Sequence, residues 1–219
     1  MTDMAILAAA KIPYFHVLVV QGGPIGWLLW VINFLTWALI IKFLMEIRRE
    51  TIMPELTRGQ IEELFEARQY RDVLEVTEND PSFLAGIIHG ALSQANYGYA
   101  AMERSMEEAA EERTTKMLRS IEWLNLIGNI GPMLGLMGTV WGMILAFQEI
   151  VAAGGTPKPD QLAGSIGIAL VTTLLGLVVA VPALSGYAVL RNRIDSTCSE
   201  ALLVSQDFIS TFRPAPKRA

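Results

Sequence analysis

Hydrophobic and polar positions along this 219-residue chain fall into blocks. Residues 12–41, 123–148 and 161–190 contain no Asp, Glu, Lys or Arg. Each run exceeds the roughly 20 apolar residues an α-helix needs to cross the ~30 Å hydrocarbon layer of a bilayer. Gly22, Gly23 and Pro24 break the first run, which predicts a short aromatic segment around 13–20 at the membrane surface and then a spanning helix. The pattern predicts an all-α membrane protein with three transmembrane helices, two of them long and extending into a helical polar region. By residue number it divides into an interfacial segment at 1–23, spans at 24–45, 123–150 and 163–190, a helical polar region at 46–122, a short loop at 151–162, and a C-terminal helix and tail at 191–219.

Within the polar block the sequence predicts helices near 57–68 and 70–78, then a long helix starting near Ser82, after Asp80-Pro81. Along it, apolar or small residues recur at Leu84, Ile88, Ala91, Ala95, Met102, Met106, Ala109, Met117, Ile121 and Leu124, in steps near three and four that mark one helical face. Gly128, Gly131, Gly135, Gly138 and Gly142 continue that phase into the second uncharged run, so one stripe changes from bulky to small where lipid replaces water. In the third run Ala169, Thr173, Gly176, Ala180 and Ala183 form a comparable small-residue face, with Leu174, Leu175, Val178 and Val179 directed elsewhere.

Apolar side chains gain little by leaving lipid for one another, so membrane helices associate through close van der Waals contact and interhelical hydrogen bonds, which small residues permit. The glycine stripe, with Gly176 and Ala180 opposite, is therefore a packing surface. Each glycine costs a helix about 1 kcal/mol relative to alanine, which the contact must offset. Thr139 stands at the edge of the first face and Thr173 on the second. Two readings stay open for their hydroxyls: hydrogen bonds back to carbonyls of their own helices, or the lining of a polar path. Neither hydroxyl titrates near neutral pH, so if ions pass here the titrating carboxylate must come from another chain.

Composition and charge narrow the picture. Hydrophobic residues make up 52% of the chain and charged ones 18%, below the roughly 25% charge of a soluble domain. Lys42, Arg48 and Arg49 follow the first span, and Arg191, Arg193, Arg213, Lys217 and Arg218 follow the third, so the positive-inside rule places 46–122 and the C-terminus in the cytoplasm. The single cysteine, Cys198, cannot form an intrachain disulfide, and His16 and His89 lack metal-ligand spacing. No cofactor or metal is expected, no dense basic cluster points to nucleic acid, and the spans hold no Ser/Lys dyad or paired aspartates of an intramembrane enzyme.

The segments "GPMLGLMGTVWGMILAF" (131–147) and "LAGSIGIALVTTLLGLVVAVPALSGY" (162–187) resemble the paired membrane signature of the MotA/TolQ/ExbB proton-channel family, in particular its ExbB/TolQ branch. The three-span layout with a large insert between the first two spans resembles it as well. The resemblance implies a multi-pass protein of the bacterial inner membrane with a periplasmic N-terminus and a cytoplasmic C-terminus. It also implies a pentameric homo-oligomer around the membrane helices of an ExbD- or TolR-like single-span partner that supplies an aspartate, and a TonB- or TolA-like protein downstream. Thr139 and Thr173 match the family's pore threonines. Where relatives often read "GIAEAL", with a pore-facing glutamate, this chain has Ile168. The alternative is a non-conducting membrane scaffold assembled through the glycine-rich faces.

Overall fold

The computed structural model describes residues 22–156 and 159–213. The aromatic segment at 13–20, with His16, and the terminal Lys217 and Arg218 lie outside the described residues. The described chain forms helices α1 (Gly23–Glu46), α2 (Arg49–Ile52), α3 (Glu55–Glu66), α4 (Tyr70–Glu78) and α5 (Phe83–Ser93), a 3₁₀ turn at Ala95–Tyr97, and the long helices α6 (Tyr99–Ala152) and α7 (Pro159–Ser210). Among the described residues there is no β-strand. Three helices are long and apolar enough to cross a membrane: α1, α6 and α7. At 1.5 Å per residue the 54 residues of α6 extend roughly 80 Å, so a bilayer covers less than half of it.

The chain divides into two units. One comprises Trp123–Tyr187 with the N-terminal part of the chain through Ile40; the other comprises Ile41–Glu122 and Ala188–Ala219. In the first unit α7 has two buried faces. Val171 and Leu175 pack with Leu29 of α1, flanked by Ile25, Trp30 and Leu134. Farther along, a Cβ placed on Gly186 would lie 3.0 Å from Cγ1 of Ile40. A neighbouring face of α7 meets α6. Leu175 and Val179, which the sequence directs away from the small-residue face, are buried: Leu175 packs with α1, and Val179 Cγ1 would lie 3.4 Å from a Cβ placed on Gly131 of α6. Met133, Leu136, Trp141, Phe147, Leu170, Leu174 and Val181 remain exposed, an apolar surface too extensive for water and suited to lipid or further chains.

The second unit is built as a water-solvated helical domain. Its centre is α5, in which Phe83, Leu84, Ala85, Gly86, Ile87, Ile88, Ala91 and Leu92 are all buried. Eleven residues span about 16 Å, too short to cross a bilayer, so this all-round apolar helix is a protein core. Its start is set by a local network. The Thr57 hydroxyl donates to Asp80 Oδ2 at 2.6 Å, the Ser82 N–H donates to Asp80 Oδ1 at 2.7 Å, and Ser82 Oγ accepts from the Ala85 N–H as a helix N-cap does. Burial opposes ionisation of Asp80, but the bonds from Thr57 and Ser82 outweigh it and hold the carboxyl below its ordinary value. The end of α7 is tied in by aromatic contacts, Phe208 stacked on Phe65 at 5.2 Å and Phe212 against Tyr70 at 4.7 Å. The Arg49–Glu200 pair, at 2.6 Å with both side chains about half exposed, contributes little by comparison.

The long helix that the sequence predicts from Ser82 onward is interrupted. It stops at Ser93, turns through residues 94–98, and restarts at Tyr99. Gly98 has φ +90°, a conformation glycine adopts without steric cost. The turn folds α6 back on α5, so that the Ser105 hydroxyl donates to the Gly90 carbonyl at 2.8 Å. The physical reason is burial: α5 is apolar on every face from Phe83 to Ile88 and needs neighbours around that stretch. The Met102, Met106, Ile121 and Leu124 positions are buried within α6, but Leu84, Ile88 and Ala91 belong to a separate helix and Ala95 to the turn that follows it.

Two outcomes follow. Gly98→Ala should lower the thermal midpoint, by on the order of 1 kcal/mol of stability, whereas Gly59→Ala, in open space within α3, should raise it by a similar amount; equal shifts in detergent melting would contradict this. Cys198 is buried, and burial pushes its thiol up to about 11 against an opposing hydrogen bond with Thr114, with Asp195 adding to the rise. Alkylation in the folded protein should therefore be slow at neutral pH and accelerate on unfolding, as mass spectrometry with a maleimide would read.

Candidate functional site

Every glycine of the α6 stripe is buried: Gly128, Gly131, Gly135, Gly138 and Gly142. They abut the backbone of α7. A Cβ added at Gly131 would lie 3.0 Å from the carbonyl oxygen of Gly176, one at Gly135 would lie 3.0 Å from the Thr172 carbonyl, and one at Gly142 would lie 2.8 Å from the Ser165 carbonyl. In the other direction, a Cβ on Gly176 would lie 2.7 Å from the Gly131 carbonyl and 3.1 Å from the Gly135 Cα. At Gly128 the neighbour is the Leu184 side chain, and at Gly138 it is Thr172. Ala180 is 4% exposed and its N–H lies beside Gly131. The seam passes through Pro132 in α6 and reaches to Ala183, beside Pro182, in α7, and both helices continue unbroken, as membrane helices tolerate.

The threonines divide by position. Thr172 is fully buried in the seam, and its hydroxyl donates to the Ile168 and Ala169 carbonyls at 3.0 Å. Thr139 and Thr173 are only partly covered. The Thr139 hydroxyl donates to the Leu136 carbonyl at 2.6 Å and that of Thr173 to the Ala169 carbonyl at 3.3 Å. Each hydroxyl thus spends its proton within its own helix and keeps acceptor lone pairs free. The seam face of α7 runs through Ser165, Ala169, Thr172, Gly176, Ala180 and Ala183, so Thr172 occupies the place that the sequence assigns to Thr173. Both follow helical spacing from Gly176; the spacing alone does not separate them.

Two polar features were missed. Asn129 stands next to Gly128 as Thr139 stands next to Gly138, and its side-chain amide donates to the Asn125 carbonyl at 2.8 Å. Glu149 extends the glycine stripe two turns beyond Gly142. Its Oε1 accepts from the Ser165 hydroxyl at 2.8 Å, while its Oε2 is buried without a hydrogen-bond partner. The uncharged run ends at 148, so a reading by charge-free stretches stops one residue short of it. Among the described residues no cluster of His, Cys, Asp and Glu is suited to hold a metal ion.

Three helices long and apolar enough to cross a membrane, two of them joined by a backbone-tight glycine seam with hydroxyls at its edge, make the architecture of a multi-span membrane protein. A profile of the MotA/TolQ/ExbB proton channel family matches residues 74–201. The chain is 30% identical over 189 residues to the biopolymer transport protein exbB1 of Vibrio cholerae, covering 82% of this chain and 80% of that protein. It is 36% identical over 86 residues to the biopolymer transport protein ExbB of Xanthomonas campestris, covering 39% of this chain and 34% of that protein. It is 28% identical over 127 residues to the Tol-Pal system protein TolQ of Haemophilus influenzae, covering 58% of this chain and 50% of that one. The protein belongs to the MotA/TolQ/ExbB proton channel family, on its ExbB/TolQ branch.

The seam makes a sharp contrast between glycines. Gly176→Ala should be destabilising, by about 1–3 kcal/mol as overpacking is elsewhere, because backbone and not a flexible side chain blocks the added methyl. Gly164→Ala, with nothing within 4 Å in α7, should be neutral or stabilising. Detergent melting curves of both variants test this; a harmless Gly176→Ala would mean that the helices are not in backbone contact.

Proposed function

We propose that this chain is the ring-forming subunit of a proton-driven machine in the bacterial inner membrane, working with an ExbD- or TolR-like single-span protein that brings a membrane aspartate. In this reading several copies, five by resemblance, surround the partner helices, with the N-terminus periplasmic and the polar unit cytoplasmic. The proton gradient, about 4 kcal/mol per charge at roughly 180 mV, drives motion that a TonB- or TolA-like protein transmits to the envelope. The observation that carries the reading is the α6/α7 seam itself, with Thr139 and Thr173 at its edge. The seam is closed by backbone contact, which supports a path along its exposed edge and not between the two helices of one chain. The free acceptor lone pairs of the two hydroxyls suit a group that receives a hydrogen bond from a protonated carboxyl.

A second reading, a non-conducting scaffold, is favoured by one fact: both hydroxyls are already engaged within their own helices. Proton flux into liposomes holding the chain and its single-span partner, followed with a pH-sensitive dye, separates the two. Thr173→Val and Thr139→Val should each abolish flux and leave assembly on size exclusion unchanged. Thr172→Val, inside the seam, should leave flux largely intact. Full flux in both edge variants would remove the threonine path, and absence of flux in the wild type would leave the scaffold.

A further inference from the structure

At the end of the α6/α7 seam nearest the connecting loop, the small-residue stripe finishes in a carboxylate. Glu149 lies seven residues, two turns, beyond Gly142, and therefore on the same face of α6. Across from it on α7 is Ser165, 4% exposed, whose carbonyl meets Gly142 and whose hydroxyl donates to Glu149 Oε1 at 2.8 Å. Glu149 Oε2 is enclosed and receives no hydrogen bond. Ionised, the group has one oxygen stabilised by a hydroxyl and another that has lost its water without replacement. Protonated on Oε2, the same group becomes neutral and its burial less costly. No basic side chain compensates the charge among the described ones: α1 has no Lys, Arg or His before Lys42, α6 has none between 123 and 152, and α7 has none from 162 to 190.

We propose that Glu149 and Ser165 form a proton-acceptor site at the loop end of the α6/α7 seam, so that this chain carries a titrating group of its own for the path. Side-chain motion at that end opens Oε2 to solvent and a proton from hydronium bonds to it, the Ser165 bond to Oε1 holds the carboxyl in place, and loss of the proton toward the seam edge restores the carboxylate. The role in transport rests on the channel reading, whereas the protonation itself does not.

Infrared difference spectra of the full chain in lipid nanodiscs, taken between alkaline and acidic pH, read the carbonyl stretch of protonated carboxyls. A component present in wild type should be lost in Glu149→Gln, and should move to higher wavenumber in Ser165→Ala, which removes the hydrogen bond to the Oε1 carbonyl. Proton flux in liposomes with the single-span partner should be lost in Glu149→Gln and retained in Glu149→Asp. Should Glu149→Gln fail to assemble, Ser165→Ala and Glu149→Asp carry the test. Identical spectra in wild type and Glu149→Gln, equal flux in the two, or disappearance of the band on adding sodium at constant pH would each overturn the proposal, the last in favour of a sodium site. A wild type without flux that keeps the Glu149 band would instead reject the channel reading and leave the protonation site standing.

Discussion

Backbone contact between α6 and α7 at Gly131, Gly135 and Gly176 is the constraint on which the membrane unit depends. Lipid tails solvate leucine as well as another leucine does, so a seam of large side chains would have no reason to form there. Removing the side chains lets the two backbones approach, and dispersion between many atom pairs replaces the missing hydrophobic drive. The rest of the unit follows from that approach. Thr172 fits inside the seam because Gly138 leaves it room, as Ser165 does beside Gly142. Thr139 and Thr173 fall at the border, and α7, with its second face still bulky, gathers α1 through Leu29, Val171 and Leu175.

The polar unit is held by different physics. Around α5 the driving force is removal of apolar surface from water, and the large fully buried side chains of that unit, among them Ile61, Ile87, Met102, Met106 and Ile194, fill space that glycines fill elsewhere. The same two long helices obey both rules, changing from bulky to small contacts along α6 between Leu124 and Gly128. A single helix thereby serves as a core element in one solvent and a close-packing element in another.

The seam also bears on function. Closed by backbone atoms, it has no room for a file of water between α6 and α7. Polar side chains lie at its border and at its end: Asn129, Thr139 and Thr173 along the edge, and Glu149 with Ser165 near the loop. Ile168 leaves the middle of α7 without a carboxylate, and the carboxylate at the end of the seam comes from α6 and accepts from a hydroxyl of α7.

By itself the sequence determined the class of the protein, its three spanning helices and the glycine face, because charge-free runs longer than a bilayer and residues repeated in steps of three and four are local properties of the chain. Tertiary structure alone decided three matters. The break at Gly98 depended on α5 needing cover all around Phe83 to Ile88, which a periodic pattern cannot express when the stripes of two helices happen to share a phase. Whether Thr172 or Thr173 enters the seam depended on the rotation of α7 between two neighbours. The significance of Glu149 depended on which of its oxygens found a partner, since a charged residue at the end of an apolar run reads as a solvated border until Ser165 and the seam are seen to enclose it.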